Sequence, residues 1–181
     1  MSNTVLLEVK DGIGYITINR PAALNALSSE VLTDLNLVLD EVEKHEDIRV
    51  VIVSGQGDKA FVAGADIKEM DQMSPMQAFE YMTYANDTFT RLSDLTQPTI
   101  AVLNGYALGG GLELALSTDI RIGFEKTMVG FPEVGLGIIP GFAGTQRMSR
   151  LIGTSKTKEL IYTARIVKGN EAYDLGILNK L

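Results

Sequence analysis

Two glutamates and a run of glycines carry most of the chemistry open to this chain of 181 residues. Gly109-Gly110-Gly111 leads directly into Leu112-Glu113, where a helix is predicted to begin. Glycines allow close approach to the backbone, and the first N–H groups of a helix are bare and carry partial positive charge. Such an end suits a developing oxyanion. Glu113 follows Gly110 by three positions and so shares its helix face. Glu133 follows Pro132 in a loop otherwise nearly free of polar groups, and an apolar setting raises a carboxyl pKa toward general-acid work.

Each feature also has a purely structural reading. A glutamate in a first helical turn complements the dipole, a loop glutamate is commonly solvated, and three glycines permit close helix packing. The combination points to chemistry. It falls within three small-residue loops, at 61–67, 104–113 and 131–141, each lying between predicted core elements.

Other chemistries find little support. Cys is 0, which excludes disulfides, thiolate nucleophiles and Cys-based zinc sites. His45 is the only histidine and falls on a polar helix end, so a triad with Ser117 and Asp119 would be forced. Met70, Met73 and Met76 read as packing at a helix edge, and the same region could wall an acyl chain. Lys68 reads as solvated, although it could meet a phosphate. Arg147 is expected to anchor its loop through backbone carbonyls. Gly135-x-Gly137 lacks the strand–turn–helix setting of a dinucleotide fingerprint.

The elements that must hold these groups alternate between strand and helix. Val5–Val9 and Ile13–Ile18 predict a hairpin around Asp11-Gly12, ended by Arg20-Pro21. Ser28 predicts the cap of a helix reaching about His45, with Val31, Leu35, Val38 and Val42 as its apolar stripe. Val50–Val53 predicts a buried strand, and 61–66 a tight loop. Ser74-Pro75 predicts the start of a helix running to about Leu95. Strands are expected at 99–103 and 119–123, an extended piece at 125–131, and a loop at 133–144. Short helices are expected at 145–151, 155–162 and 170–175. The class is α/β in one domain, 1–181. Gly176 to Leu181 reads as the start of a strand, which suggests a missing C-terminal segment.

Hydrophobic residues are 45%, charged residues 22% and the formal net charge −7. Such a charge disfavours general nucleic-acid binding, though a local basic patch could hold one phosphate ester. No stretch approaches the roughly 20 apolar residues of a membrane span. Met1 to Glu8 predicts no targeting signal. A cytoplasmic domain is expected.

Several blocks together resemble the crotonase (enoyl-CoA hydratase/isomerase) family. They are Asn19-Arg20-Pro21 with Leu24-Asn25-Ala26-Leu27, Ala63-Gly64-Ala65-Asp66-Ile67, Asn104 to Gly111, Glu113-Leu114-Ala115, and Pro140-Gly141-x-x-Gly144-Thr145-Gln146-Arg147. The likeness runs in order from about Ile13 to the last residue and is greatest to short-chain enoyl-CoA hydratases and 3-hydroxybutyryl-CoA dehydratases. It implies a crotonase-like spiral of β-β-α units (the ClpP/crotonase fold), with helices around two sheets and a C-terminal helical segment that is absent here.

The resemblance also implies a site. Backbone N–H groups of Ala65 and Gly110 would form an oxyanion hole for the thioester oxygen, and Glu113 and Glu133 would flank a water. Ala63, Gly64, Ala65, Asp66, Ile67 and Lys68 would line the acyl-CoA site and hold its adenine end. Ala23 and Leu24 would contact CoA from another side, with Tyr106, Gly109, Gly110, Pro132 and Gly141 as further contacts. Family members with one of the two glutamates tend to isomerise, so both together favour hydration of a short-chain enoyl-CoA, in fatty-acid or butyrate-type metabolism. Glu113 is expected to be the base and Glu133 the proton donor to the α carbon. No metal or redox cofactor is implied, because CoA is part of the substrate. A homotrimer or hexamer is implied where the C-terminal segment is present. The alternatives are an enoyl-CoA isomerase or other enolate chemistry, and a non-catalytic acyl-CoA-binding fragment.

Overall fold

Asp11 and Gly12 both adopt left-handed backbone, at φ 51° and 79°. That conformation matches the twist of a tight hairpin, and it joins β1 (Val5–Lys10) to β2 (Ile13–Ile18) in antiparallel register. The computed structural model describes residues 4–181. Met1, Ser2 and Asn3, the start of the segment tested above for a targeting signal, lie outside them.

The remaining strands are β3 (Val50–Gly55), β4 (Ala60–Val62), β5 (Thr99–Val102), β6 (Tyr106–Leu108), β7 (Ile120–Ile122), β8 (Met128–Gly130) and β9 (Ile166–Lys168). The helices are α1 (Ser29–Lys44), α2 (Ile67–Met70), α3 (Pro75–Ser93), α4 (Gly110–Ala115), α5 (Gly144–Ile152), α6 (Thr154–Thr163) and α7 (Gly169–Asp174). A five-stranded sheet runs β1-β2-β3-β5-β7 and a four-stranded sheet runs β4-β6-β8-β9. From β2 to β7 the first sheet is parallel, as are β4, β6 and β8 in the second.

Between α1 and α5 each turn of chain lays one strand in the first sheet, one in the second, and then helix. Thus β3 and β4 precede α2 and α3, β5 and β6 precede α4, and β7 and β8 precede α5. This is the expected β-β-α spiral. The central strands carry fully buried Val51, Val53 and Ala101. The two long helices follow their sequence signals. Ser28 accepts the Val31 N–H, and Val31, Leu35, Val38 and Val42 are buried. Ser74 and Gln77 form a reciprocal capping box with Pro75 at the first helical position.

The differences lie in three-residue strands. The segment 61–66 is not all loop, since Ala60–Val62 is the wholly buried β4. Tyr106–Leu108 and Ile166–Lys168 form strands that no reading anticipated. Three residues are too few to display a period of two. The start of the 133–144 loop is a 3-10 turn, Glu133–Leu136. At the chain's end, Lys180 makes an isolated parallel bridge to Ile122. Arg121, buried, donates to the Ile177 and Thr118 carbonyls and to Asn179 Oδ1. Among the described residues, no helix is long and apolar enough to cross a membrane.

Candidate active site

The chain leaving β4 is held by backbone bonds to the segment before α1. The Leu27 N–H donates to the Gly64 carbonyl at 2.9 Å, and the Asp66 N–H donates to the Leu27 carbonyl at 2.7 Å. Alternate N–H groups of an extended segment point to opposite sides, so the Ala65 N–H faces away from Leu27. The Asp66 side chain has structural work of its own. It caps α2 through the Glu69 N–H and accepts Nη1 and Nη2 of Arg20, at 3.1 Å each.

The glycine run between β6 and α4 divides its labour. Gly109 takes φ +50° and donates to the Gly130 carbonyl. Gly111 lies against β4, where an added Cβ would fall 1.9 Å from the Val62 carbonyl oxygen. Close helix packing is therefore part of what these glycines provide. Gly110, first residue of α4, has no intrahelical partner for its N–H.

Glu113 stands one turn along α4 and is 1% exposed. Its Oε1 accepts the Phe142 N–H at 2.8 Å and the Gly144 N–H at 2.7 Å, leaving Oε2 outside this clamp. Its pKa is pushed up to about 7, mainly by burial. The nearby Glu133 charge adds to the rise, while the two N–H bonds and Arg147 oppose it. Glu133 is 9% exposed, and burial raises its carboxyl also. Its Oε2 is buried without a hydrogen-bond partner. The other oxygen lies over Gly109, where an added Cβ would meet it at 2.7 Å.

Both carboxyls line one cavity of about 800 Å³. Ala63, Gly64 and Ala65, just after β4, form one wall, with Ile67 and Met70 from α2 and Ala78 and Met82 from α3. Gly109 and Gly110 lie at the head of α4, and Pro132, Leu136 and the segment 137–142 close the opposite side. Among the described residues the glutamates are the only ionisable groups lining it, so a bound water or carbonyl would meet few competing partners. The arrangement can take a proton at one carboxyl and give one at the other.

The structure thus brings together Glu113, Glu133, Ala63, Gly64, Ala65, Ile67, Gly109, Gly110, Pro132 and Gly141. It places Ala23, Leu24, Asp66, Lys68 and Tyr106 outside the lining. Leu24 instead borders a separate hollow of about 190 Å³ with Asn25 and the segment 56–60. Sequence reasoning missed Ala78, Met82 and Phe142 as lining residues. Positions 78, 82, 85 and 89 share one face of α3, and that period held the signal for the first two. Phe142 gave none. Its ring packs edge-on against Tyr81 and Phe89, with centroids 5.6 and 5.7 Å away.

Other expectations resolve simply. Arg147 Nη1 donates to the Phe142 carbonyl at 3.2 Å, the loop anchor foreseen for it. His45 is exposed. Ser117 donates to the Leu114 carbonyl, and Asp119 accepts from Thr99, so neither forms a triad with it. Met70 lines the cavity and Met73 packs at the core's edge, whereas Met76 is exposed.

Residues 8–181 match the enoyl-CoA hydratase/isomerase family. A short-chain-enoyl-CoA hydratase from Clostridium acetobutylicum is 48% identical over 179 residues, covering 99% of this chain and 69% of that protein. A crotonyl-CoA hydratase from Syntrophomonas wolfei is 42% identical, covering 98% of this chain and 68% of its own length. The crystal structure of an enoyl-CoA hydratase from Bacillus anthracis superposes with a TM-score of 0.95 at 40% identity. It covers 98% of this chain and 69% of that one.

Proposed function

The chain belongs to the enoyl-CoA hydratase/isomerase family, and we propose that its two-carboxylate cavity adds water across the 2,3 double bond of a short-chain enoyl-CoA. One observation carries this reading. Glu113 and Glu133, both desolvated, line one cavity together with the glycine pair at the head of α4.

In this reading the thioester carbonyl lies between the Ala65 and Gly110 N–H groups. Their bonds strengthen as negative charge develops on that oxygen. A water sits between the carboxyls. Glu113 takes a proton from it as its oxygen bonds to C3, and the π electrons pass through C2 to the thioester oxygen. Glu133 then delivers a proton to C2 as the carbonyl re-forms. The net change is one water added, and a proton moving from Glu113 to Glu133 resets the pair. The couple titrates as a unit. We assign the CoA portion to groups outside the cavity lining, namely Ala23, Leu24, Asp66, Lys68 and Tyr106. The Asp66 carboxylate is engaged by Arg20, so its contribution is assigned to the backbone. Zero cysteine suits a reducing cytoplasm, where we place the protein.

The test follows the loss of conjugated absorbance of a short 2-enoyl-CoA, beside Glu113→Gln and Glu133→Gln. Either substitution is expected to lower kcat by about 10²- to 10⁴-fold. Migration of the double bond without hydration would identify an isomerase instead. Binding of CoA thioesters with no turnover would identify a binding protein.

A further inference from the structure

Arg147 lies half-buried in the first turn of α5, outside the cavity lining. Its Nη1 holds the Phe142 carbonyl at 3.2 Å, and the N–H of the same Phe142 donates to Glu113 Oε1 at 2.8 Å. The second N–H on that oxygen comes from Gly144, the first residue of α5. One helix therefore supplies Glu113 with a terminal N–H, a nearby guanidinium, and a tether on the carbonyl of the residue that provides the other N–H. Asn86 of α3 grips the preceding Gly141 carbonyl at 2.9 Å, so the loop is fastened from both sides. Of these two fasteners, Arg147 alone brings a charge.

The groups facing this guanidinium come from three helices. Glu113 of α4 and Asp94 at the end of α3 favour its charge, and Arg150 of α5 opposes it. Ser93 Oγ accepts its Nη2 at 3.4 Å. Glu133 faces Glu113 and disfavours a second negative charge. A guanidinium stays protonated wherever a carboxyl titrates, so its pull on Glu113 is constant across the working range.

We propose that Arg147 is a positioning residue that fixes the backbone clamp on Glu113 and keeps a permanent positive charge near it, without touching substrate. This rests on the reading of Glu113 as base and names what readies it.

The test is a pH titration of the complete chain labelled with ¹³C at the glutamate side-chain carboxyls, read by NMR. The Glu113 resonance is identified by its absence in Glu113→Gln. Arg147→Met is expected to raise the Glu113 midpoint, with Glu133 moving less. Arg147→Lys, which keeps the charge, is expected to stay near the parent value. An unchanged midpoint in Arg147→Met would overturn the proposal, as would an equal rise in Arg147→Lys. Should Arg147→Met not fold, Arg147→Gln against Arg147→Lys makes the same comparison with a neutral polar side chain. The titration needs no turnover. A chain that moves its Glu113 midpoint but hydrates nothing refutes the hydratase reading alone, and active hydration with a fixed midpoint refutes only the role of Arg147.

Discussion

The Phe142 N–H donates to Glu113 Oε1 at 2.8 Å, tying together residues 29 positions apart in sequence. That bond bears directly on the role of base proposed for a carboxyl 1% exposed. Burial alone would hold Glu113 protonated at neutral pH, and the bonds from Phe142 and Gly144 draw it back toward the range where it can exchange a proton. The same bonds commit Oε1, so proton transfer falls to Oε2.

The pH dependence of activity follows. As a base Glu113 must be ionised, and its carboxyl is pushed up to about 7. The kcat/KM for hydration is therefore expected to fall on an acid limb centred near neutrality, about tenfold per pH unit below it. Glu133, raised by burial, must be protonated to donate, so a falling alkaline limb is expected as well. A pH–rate profile from 5 to 10 checks both limbs. A flat acid side down to pH 5 would remove Glu113 from the role of base.

Stability should carry the same signature with the opposite sense. Glu113 binds its proton more tightly in the folded chain, near 7, than at the usual carboxylate value of 4.5. Between those values Glu113 holds more proton in the folded state, so its contribution to stability is fully present below pH 4.5 and is lost as pH rises through 7. The full difference is of order 3 kcal/mol. Glu113→Gln is expected to remove this dependence and to be relatively more stable at pH 8 than at pH 5. Chemical denaturation of both proteins at those two pH values measures it. Parallel pH dependence would show that another group carries the effect.

How far the sequence announced this site depends on the length scale of each signal. Ser28 and Ser74 marked helix starts because capping acts within three residues, and α1 showed its buried face because sixteen residues display a period. The strands β4, β6 and β9 have three residues each and owe their pairing to neighbours distant in sequence. Glu113 and Glu133 stood out through their small-residue surroundings. What fastens Glu113 did not, because the Phe142 N–H is a backbone group and leaves no mark in residue type. The side-chain work of Asp66 was equally hidden. Its block pointed to the ligand site, while its carboxylate serves Arg20 and the cap of α2.

Two glycines beside the carboxyls should tolerate no side chain. A Cβ on Gly144 would lie 2.7 Å from Glu113 Oε1 and 2.8 Å from the Phe131 ring, both fully packed. A Cβ on Gly109 would meet Glu133 Oε1 at 2.7 Å and would sit on backbone at φ +50°. Gly144→Ala is expected to cost about 1–3 kcal/mol through overpacking and to displace Glu113. Gly109→Ala is expected to lower activity through Glu133 with a similar loss of stability. Thermal unfolding together with kcat measures each pair of effects. Full activity in either variant would show that its carboxyl does not need the position described here.

The residue between Phe142 and Gly144 behaves in the opposite way. Ala143 adopts φ +67° at the N-cap of α5, a left-handed conformation that a Cβ disfavours by about 1–2 kcal/mol. Ala143→Gly relieves that cost and gives back part of it as chain entropy in the unfolded state. A net gain of roughly 0.5–1 kcal/mol is expected, seen as a higher Tm. Because Ala143 contributes no bond to Glu113, the acid limb of the activity profile should stay in place. If Ala143→Gly instead moves that limb, the strained turn itself helps aim the Phe142 and Gly144 N–H groups, and the clamp depends on more than the two donors that touch the carboxyl.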